Sequence, residues 1–181
     1  MLVDDLKTTL LDIDEEASIV YGTMQPKPCV VIVGGAAFLL RELTSRNYTH
    51  DIDVFMADSA VREIIANYPN VNGDVAAFAD QIPYNFEDRL VPLDIVSEAV
   101  DFVTPSTEDL VVMKLYAERP NDMQDIESAA CKGMIDWDLL EKLVYDKDEA
   151  AASSLSERRY DEMVASYERF KARCKQDESD V

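Results

Sequence analysis

At 181 residues the chain is long enough for one domain with a sizeable core, or for a compact core with a helical appendage, and too short for two independent domains. An apolar fraction of 48% with 8% aromatic residues belongs to a packed globular protein, with disorder expected only at the two ends. The 37 acidic residues against 17 basic ones give a formal charge of −20, a field that repels phosphate backbones and argues against general nucleic-acid binding while favouring solubility.

The amino terminus, MLVDDLK, carries acids where a secretory signal would carry positive charge. From Val3 to about Val20 the apolar positions Leu6, Leu10, Ile13 and Ala17 recur at three- and four-residue steps, which predicts an amphipathic helix with its Asp and Glu residues on the outer face, ended by Gly22. Pro26 and Pro28 punctuate a loop, and the β-branched run Cys29 to Val33 predicts a buried central strand. Gly34 and Gly35 break it, and helix formers from Ala36 to Leu43 follow. Arg46 to His50 is polar and loop-like; Asp51 to Met56 alternates in the manner of a strand with one face in the core. A helix is expected from about Asp58 to Tyr68, closed by Pro69.

The middle of the chain offers three short candidate strands, Val75 to Phe78, Tyr84 to Glu87 and Leu90 to Val96. After Thr104-Pro105 the pattern turns helical, with a cap at Thr104 or Ser106 and an apolar stripe at Leu110, Met113 and Ala117. Further helices are expected at about Asp122 to Lys132, Asp136 to Val144 and Ser154 to Cys174, with a frayed tail from Lys175. The longest apolar run, Cys29 to Leu40, is too short to span a bilayer and is split by two glycines, so no membrane association is expected. Cys29, Cys131 and Cys174 match no zinc spacing and are odd in number, which suits a reducing cytoplasm.

Asp51 and Asp53 stand two apart on one predicted strand, so both side chains leave the same face while Ile52, Val54 and Met56 take the other. Carboxylates so placed repel each other unless neutralised, as Mg²⁺ with a triphosphate would do; a solvated edge strand is the competing reading. Leu93-Asp94-Ile95-Val96 supplies a second strand with one acid among apolar neighbours, and three converging carboxylates would suit a two-metal site; Glu87, Asp88 and Glu98 compete with Asp94 for that third place. Gly34-Gly35 between strand and helix would let backbone N–H groups approach a phosphate, or simply form a tight turn. His50 turns to the opposite face from Asp51, no Ser or Cys nucleophile can be paired with a distant His, and Trp137 reads as a packing residue.

Taken together, Gly34-Gly35-Ala36-Ala37 followed by Arg46-x-x-Thr49-x-Asp51-x-Asp53 resembles the signature of the DNA-polymerase-β-like nucleotidyltransferase superfamily. Ser106-Thr-Glu-Asp-Leu110, Lys114, Arg119 and Asp122-x-x-Asp125 look like its AbiE-toxin-type branch, and the likeness covers about residues 28 to 135. It implies an α/β (α+β) fold: a mixed sheet with flanking helices and an amino-terminal helix over residues 1–104, then a helical region over 105–181. It further implies that Asp51, Asp53 and Asp94 are catalytic and bind Mg²⁺ or Mn²⁺, and that Gly34, Gly35, Arg46, Thr49, Lys114, Asp122 and Asp125 serve nucleotide binding. Lys114 would face the nucleotide, and Asp122 or Asp125 would act as a further acid or as its ion-pair partner. Ala36, where many members carry a hydroxyl, and Pro120-Asn121, where basic residues are usual, depart from the pattern.

The expected activity is transfer of a nucleoside monophosphate from a nucleoside triphosphate to a hydroxyl on RNA, protein or a small molecule, in a toxin–antitoxin setting with a cognate toxin or antitoxin partner. A nucleic-acid acceptor is disfavoured by the charge. The rival is a non-catalytic member that binds nucleotide or a partner, and a weaker third reading is an Asp-x-Asp phosphatase, whose motif would stand nearer the amino terminus.

Overall fold

The computed structural model describes residues 1–22, 24–73, 75, 81–146 and 156–179. The chain divides into two compact units. The first gathers Met1–Glu42, Arg46–Ala79 and Leu90–Pro105, and the second Leu43–Ser45, Asp80–Arg89 and Ser106–Val181.

In the first unit, helix α1 (Val3–Tyr21) buries Leu6, Leu10, Ile13 and Ala17, the residues its periodicity selects, and Gly22 closes it at φ 67 by donating its N–H to the Ser18 carbonyl. Asp14 departs from the expected outer face. It is buried, and its carboxylate accepts the backbone N–H groups of Glu98, Ala99 and Val100, each at 2.8 Å. Three donors to one charged acceptor offset the cost of taking that charge out of water.

Strand β1 (Cys29–Val33) runs into helix α2 (Gly34–Leu40), and β2 (Ile52–Ala57) returns antiparallel to β1. Helix α3 (Ser59–Ile65) is shorter than its sequence pattern suggests. Short strands β3 (Val71–Asn72) and β4 (Val91–Pro92) and strand β5 (Asp101–Thr104) complete a five-stranded mixed sheet of order β3-β2-β1-β5-β4. β1 pairs parallel with β5, β2 parallel with β3, and β4 antiparallel with β5. The β-branched residues Val30, Val31, Ile32 and Val33 are all buried, as a central strand requires.

Several expectations are corrected. The register of β1 on β2 shifts between Val31 and Ile32, whose partners are Met56 and Val54, so Phe55 is an extra residue in β2. Such a bulge resets the two-residue alternation: Ile52, Val54 and Ala57 are buried, while Met56 is 39% exposed and does not share their face. The strand expected over Leu90 to Val96 shrinks to Val91–Pro92: the Leu93 N–H still donates to the Phe102 carbonyl, but the Ile95 N–H turns back to the Leu93 carbonyl instead of extending the ladder. The one expected over Tyr84 to Glu87 is a turn leading into a 3₁₀ segment, Phe86–Arg89. Of the strand expected over Val75 to Phe78, residues 76–78 lie outside the described residues.

The second unit is helical: α4 (Thr107–Ala117), α5 (Pro120–Cys131), α6 (Trp137–Tyr145) and α7 (Glu157–Ser179), the last reaching into the segment expected to fray from Lys175, of which residues 180–181 lie outside the described residues. Residues 154–155 of the helix expected to start at Ser154 lie outside the described residues. Ser106 caps α4 by accepting the Asp109 N–H at 3.1 Å, and Asp136 caps α6 by accepting the N–H groups of Asp138 and Leu139. Instead of one apolar stripe, α4 buries Leu110, Val111, Val112, Leu115 and Tyr116 together, whereas Ala117 is exposed. Trp137 stacks on the buried Phe170 with ring centroids 5.6 Å apart, the packing role its sequence context suggests. Among the described residues no helix is long and apolar enough to cross a membrane.

Candidate active site

The site is built where β1 ends. Val33 is the Cα partner of Asp53, so the chain leaving β1 passes directly beside the Asp53 side chain. Gly34 adopts φ 66, and a Cβ placed on it would lie 2.5 Å from Asp53 Oδ2, closer than any methyl carbon can approach. A Cβ on Gly35 would lie 2.8 Å from Thr49 Oγ1 and 3.3 Å from Arg46 Nη2. The two glycines therefore do more than turn the chain: they let a carboxylate, a hydroxyl and a guanidinium pack against bare backbone. Gly34, Gly35, Arg46, Thr49 and Asp53 are brought together in the first unit.

Thr49 is buried and held in place by the amino terminus: its N–H donates to the Met1 carbonyl at 3.0 Å, and the Met1 ammonium donates to the Thr49 carbonyl. Asp51, half-buried, immediately precedes β2. It stands two residues from Asp53 with fully buried Ile52 between them, so the two carboxylates share a face. Asn72, on the neighbouring strand β3, donates its side-chain Nδ2 to Asp53 Oδ1 at 3.1 Å. Val71-Asn72-Gly73 carries no motif, and only the β2–β3 register reveals this contact. His50 is exposed, its ring edge-on to Tyr48 in the loop before β2, as expected for a loop residue.

Asp94 is not brought to this group. β4 is antiparallel to β5, with Pro92 opposite Val103, and Leu93 donates its N–H to the Phe102 carbonyl, so the chain travels towards Asp101 as it reaches Asp94. Asp101 pairs with Cys29, at the opposite end of β1 from Val33 and Asp53. Four strand steps separate those ends, about 13 Å, against the roughly 3.5–4 Å that separates the ions of a two-metal site. Asp94 is exposed at that far end. Glu98 leads into the same end of β5, and Glu87 and Asp88 are exposed on the 3₁₀ segment of the second unit. Among the described residues no three His, Cys, Asp or Glu side chains are grouped to hold a metal ion. Two oxygen-donor carboxylates still fit a hard cation, because Mg²⁺ is commonly held by one or two carboxylates and completed by phosphate and water.

The remaining predicted residues lie within the second unit. Lys114 is 5% exposed, and its Nζ sits 2.8 Å from both Asp122 Oδ1 and Asp125 Oδ2, so its ammonium faces two carboxylates. Of the two roles proposed for Asp122 and Asp125, the structure shows that of ion-pair partner. Thr44 Oγ1 donates to Asp125 Oδ1 at 2.6 Å, and Arg119 Nε to Asp122 Oδ2 at 2.6 Å. Burial alone would raise the Asp122 carboxyl, but bonds from Arg119 and Lys114 outweigh it and hold the group below the usual carboxylate range. Another pair that the sequence does not single out joins half-buried Arg89 to buried Asp109, with Arg89 Nη2 at 2.8 Å from Oδ1 and Nε at 3.0 Å from Oδ2. Ser106 Oγ also donates to that carboxylate, at 2.8 Å.

Residues 8–175 match the model of a family described as nucleotidyltransferase of unknown function (DUF6036). No curated protein and no solved structure matches the chain.

Proposed function

We propose, from the premise that the chain belongs to this nucleotidyltransferase family, that Gly34, Gly35, Arg46, Thr49, Asp51 and Asp53 bind a nucleoside triphosphate and direct its nucleoside monophosphate to a hydroxyl acceptor. One observation carries the assignment. Backbone at Gly34-Gly35 is bare of side chain where Asp53, Thr49 and Arg46 pack against it, so a cation and an anion stand together beside the start of α2.

In this reading the Gly34-Gly35 N–H groups and the Arg46 guanidinium bind phosphate oxygens, and the Thr49 hydroxyl orients them. Asp51 and Asp53 would hold Mg²⁺ or Mn²⁺, which supplies charge neutralisation for the triphosphate. The acceptor oxygen bonds to the α-phosphorus, the α,β-phosphoanhydride bond breaks, pyrophosphate leaves and the hydroxyl proton passes to solvent or a nearby carboxylate. The formal charge of −20 favours a protein or small-molecule hydroxyl over a polyanionic RNA. The glycine pair and Asp51-x-Asp53 support placement in the DNA-polymerase-β-like superfamily. An AbiE-type setting would add a cognate partner protein in the cytoplasm, where triphosphates are supplied.

The test is label transfer from α-labelled triphosphates with Mg²⁺ or Mn²⁺, scored against Asp53→Asn. That variant keeps the side-chain volume and removes the charge, so it should lose transfer while melting near the wild type; retained transfer rejects the assignment. The position of Asp94 favours a second reading, nucleotide binding without turnover, since among the described residues no third carboxylate joins Asp51 and Asp53. Metal-dependent binding by calorimetry with no transfer to any acceptor would select it.

A further inference from the structure

Among the neighbours of Asp53, two meet different oxygens of its carboxylate. Oδ2 faces the bare backbone of Gly34, while Oδ1 accepts the Asn72 amide. The second contact is a product of register: β2 and β3 run parallel with Asp53 opposite Asn72, so the two side chains leave the same face. The strand that carries Asn72 is itself fixed, because Ile52 donates its N–H to the Asn70 carbonyl at 2.9 Å and the Asn70 side chain donates to Thr9 on α1 at 3.1 Å.

We propose that Asn72 is a positioning residue for Asp53: its neutral amide occupies one carboxylate oxygen and sets the side-chain rotamer, so that the charge faces the Gly34 backbone where triphosphate and cation would lie. This inference rests on the nucleotidyltransferase reading of the site. The chemistry of the donor matters. A lysine here would neutralise the charge a cation needs, and an aspartate would repel it, whereas an amide orients the carboxylate and leaves it anionic. Groups that orient a metal-binding carboxylate in this way change metal affinity or activity by roughly 10- to 100-fold when removed.

The experiment titrates Mn²⁺ into the full chain with a triphosphate analogue whose α,β bridge resists cleavage, following free Mn²⁺ by electron spin resonance, for wild type and Asn72→Ala. Metal-free melting is recorded alongside. The expected result is a 10- to 100-fold weaker Mn²⁺ affinity in Asn72→Ala with an unchanged metal-free melt, since Asn72 is exposed on an edge strand. Label transfer by the variant should then recover as Mn²⁺ is raised to saturation. A titration within twofold of wild type overturns the inference while leaving the nucleotidyltransferase reading intact, and so does a transfer defect that saturating Mn²⁺ does not restore. A wild type that binds no Mn²⁺ with the analogue overturns both.

Discussion

Replacing Gly34 with alanine separates two costs that are usually confounded, backbone strain and steric collision. At φ 66 an L side chain sits in the left-handed region, at roughly 1–2 kcal/mol for a residue with a Cβ. The added methyl carbon would also start 2.5 Å from Asp53 Oδ2 and 3.3 Å from its Cγ. To reach ordinary contact at 3.4 Å the carboxylate oxygen must retreat by about 0.9 Å, or the backbone must move by the same amount. Gly133 provides the control. It has φ 67, ends α5 with its N–H on the Ala130 carbonyl and the Met134 N–H on the Ala129 carbonyl, and a Cβ there meets nothing within 4 Å. Gly133→Ala therefore pays strain alone, about 1 kcal/mol.

Urea unfolding should place Gly34→Ala below Gly133→Ala by a further 1 kcal/mol or so, the usual scale for an off-rotamer side chain or a small overpacking shift. The larger effect is functional: a displacement near 1 Å at a reacting group costs on the order of 100-fold, so metal-dependent triphosphate binding and any transfer should fall by about that factor in Gly34→Ala and stay at the wild-type level in Gly133→Ala. If the two variants unfold alike and bind triphosphate alike, the contact between Gly34 and Asp53 has no part in the site and the reasoning fails.

Asp14→Ala strips three backbone N–H groups of their acceptor inside the first unit. It should lower stability by about 3–5 kcal/mol in urea titrations, and a loss under 1 kcal/mol would mean that water replaces the carboxylate without penalty. The Asp122 carboxyl, held below its ordinary 3.8, releases its proton more readily in the folded chain than in the unfolded one. Its stabilisation is thus complete above the unfolded value and declines as pH falls through that value towards the lower folded one. Urea midpoints between pH 5 and 2.5 should show a steeper acid loss for wild type than for Asp122→Asn; parallel curves would remove Asp122 from the acid response.

How much of this was legible in the residues alone depends on how local the governing interaction is. The passage from strand through Gly34-Gly35 to helix, the Gly22 stop and, of the two caps expected, Ser106 are decided within a few residues and stand in the structure, although the helix expected over Ala36 to Leu43 runs from Gly34 to Leu40 and takes in both glycines. Gly34 and Asp53 are 19 positions apart, yet their meeting was foreseeable because an antiparallel return after a short helix brings a strand's first residues beside the preceding strand's last. Asp94 was misplaced for the complementary reason. Leu93-Asp94-Ile95 reads the same whichever way its strand runs, and direction decides which end of the sheet an acid reaches; β4 runs antiparallel to β5, so Asp94 arrives about 13 Å along the strand from where a third carboxylate was sought. Asn72 and Met56 escaped because each depends on register, the first through a two-residue strand too short to show periodicity and the second through a bulge at Phe55. Asp14 escaped because an acid on a helix reads as solvated until a loop from elsewhere presents three donors to it. The same distinction governs where the site can be extended: any further group completing Asp51 and Asp53 has to come from chain that runs towards Val33 and Gly34, as the Asn72 end of β3 does, and not from the segment between Leu93 and Asp101.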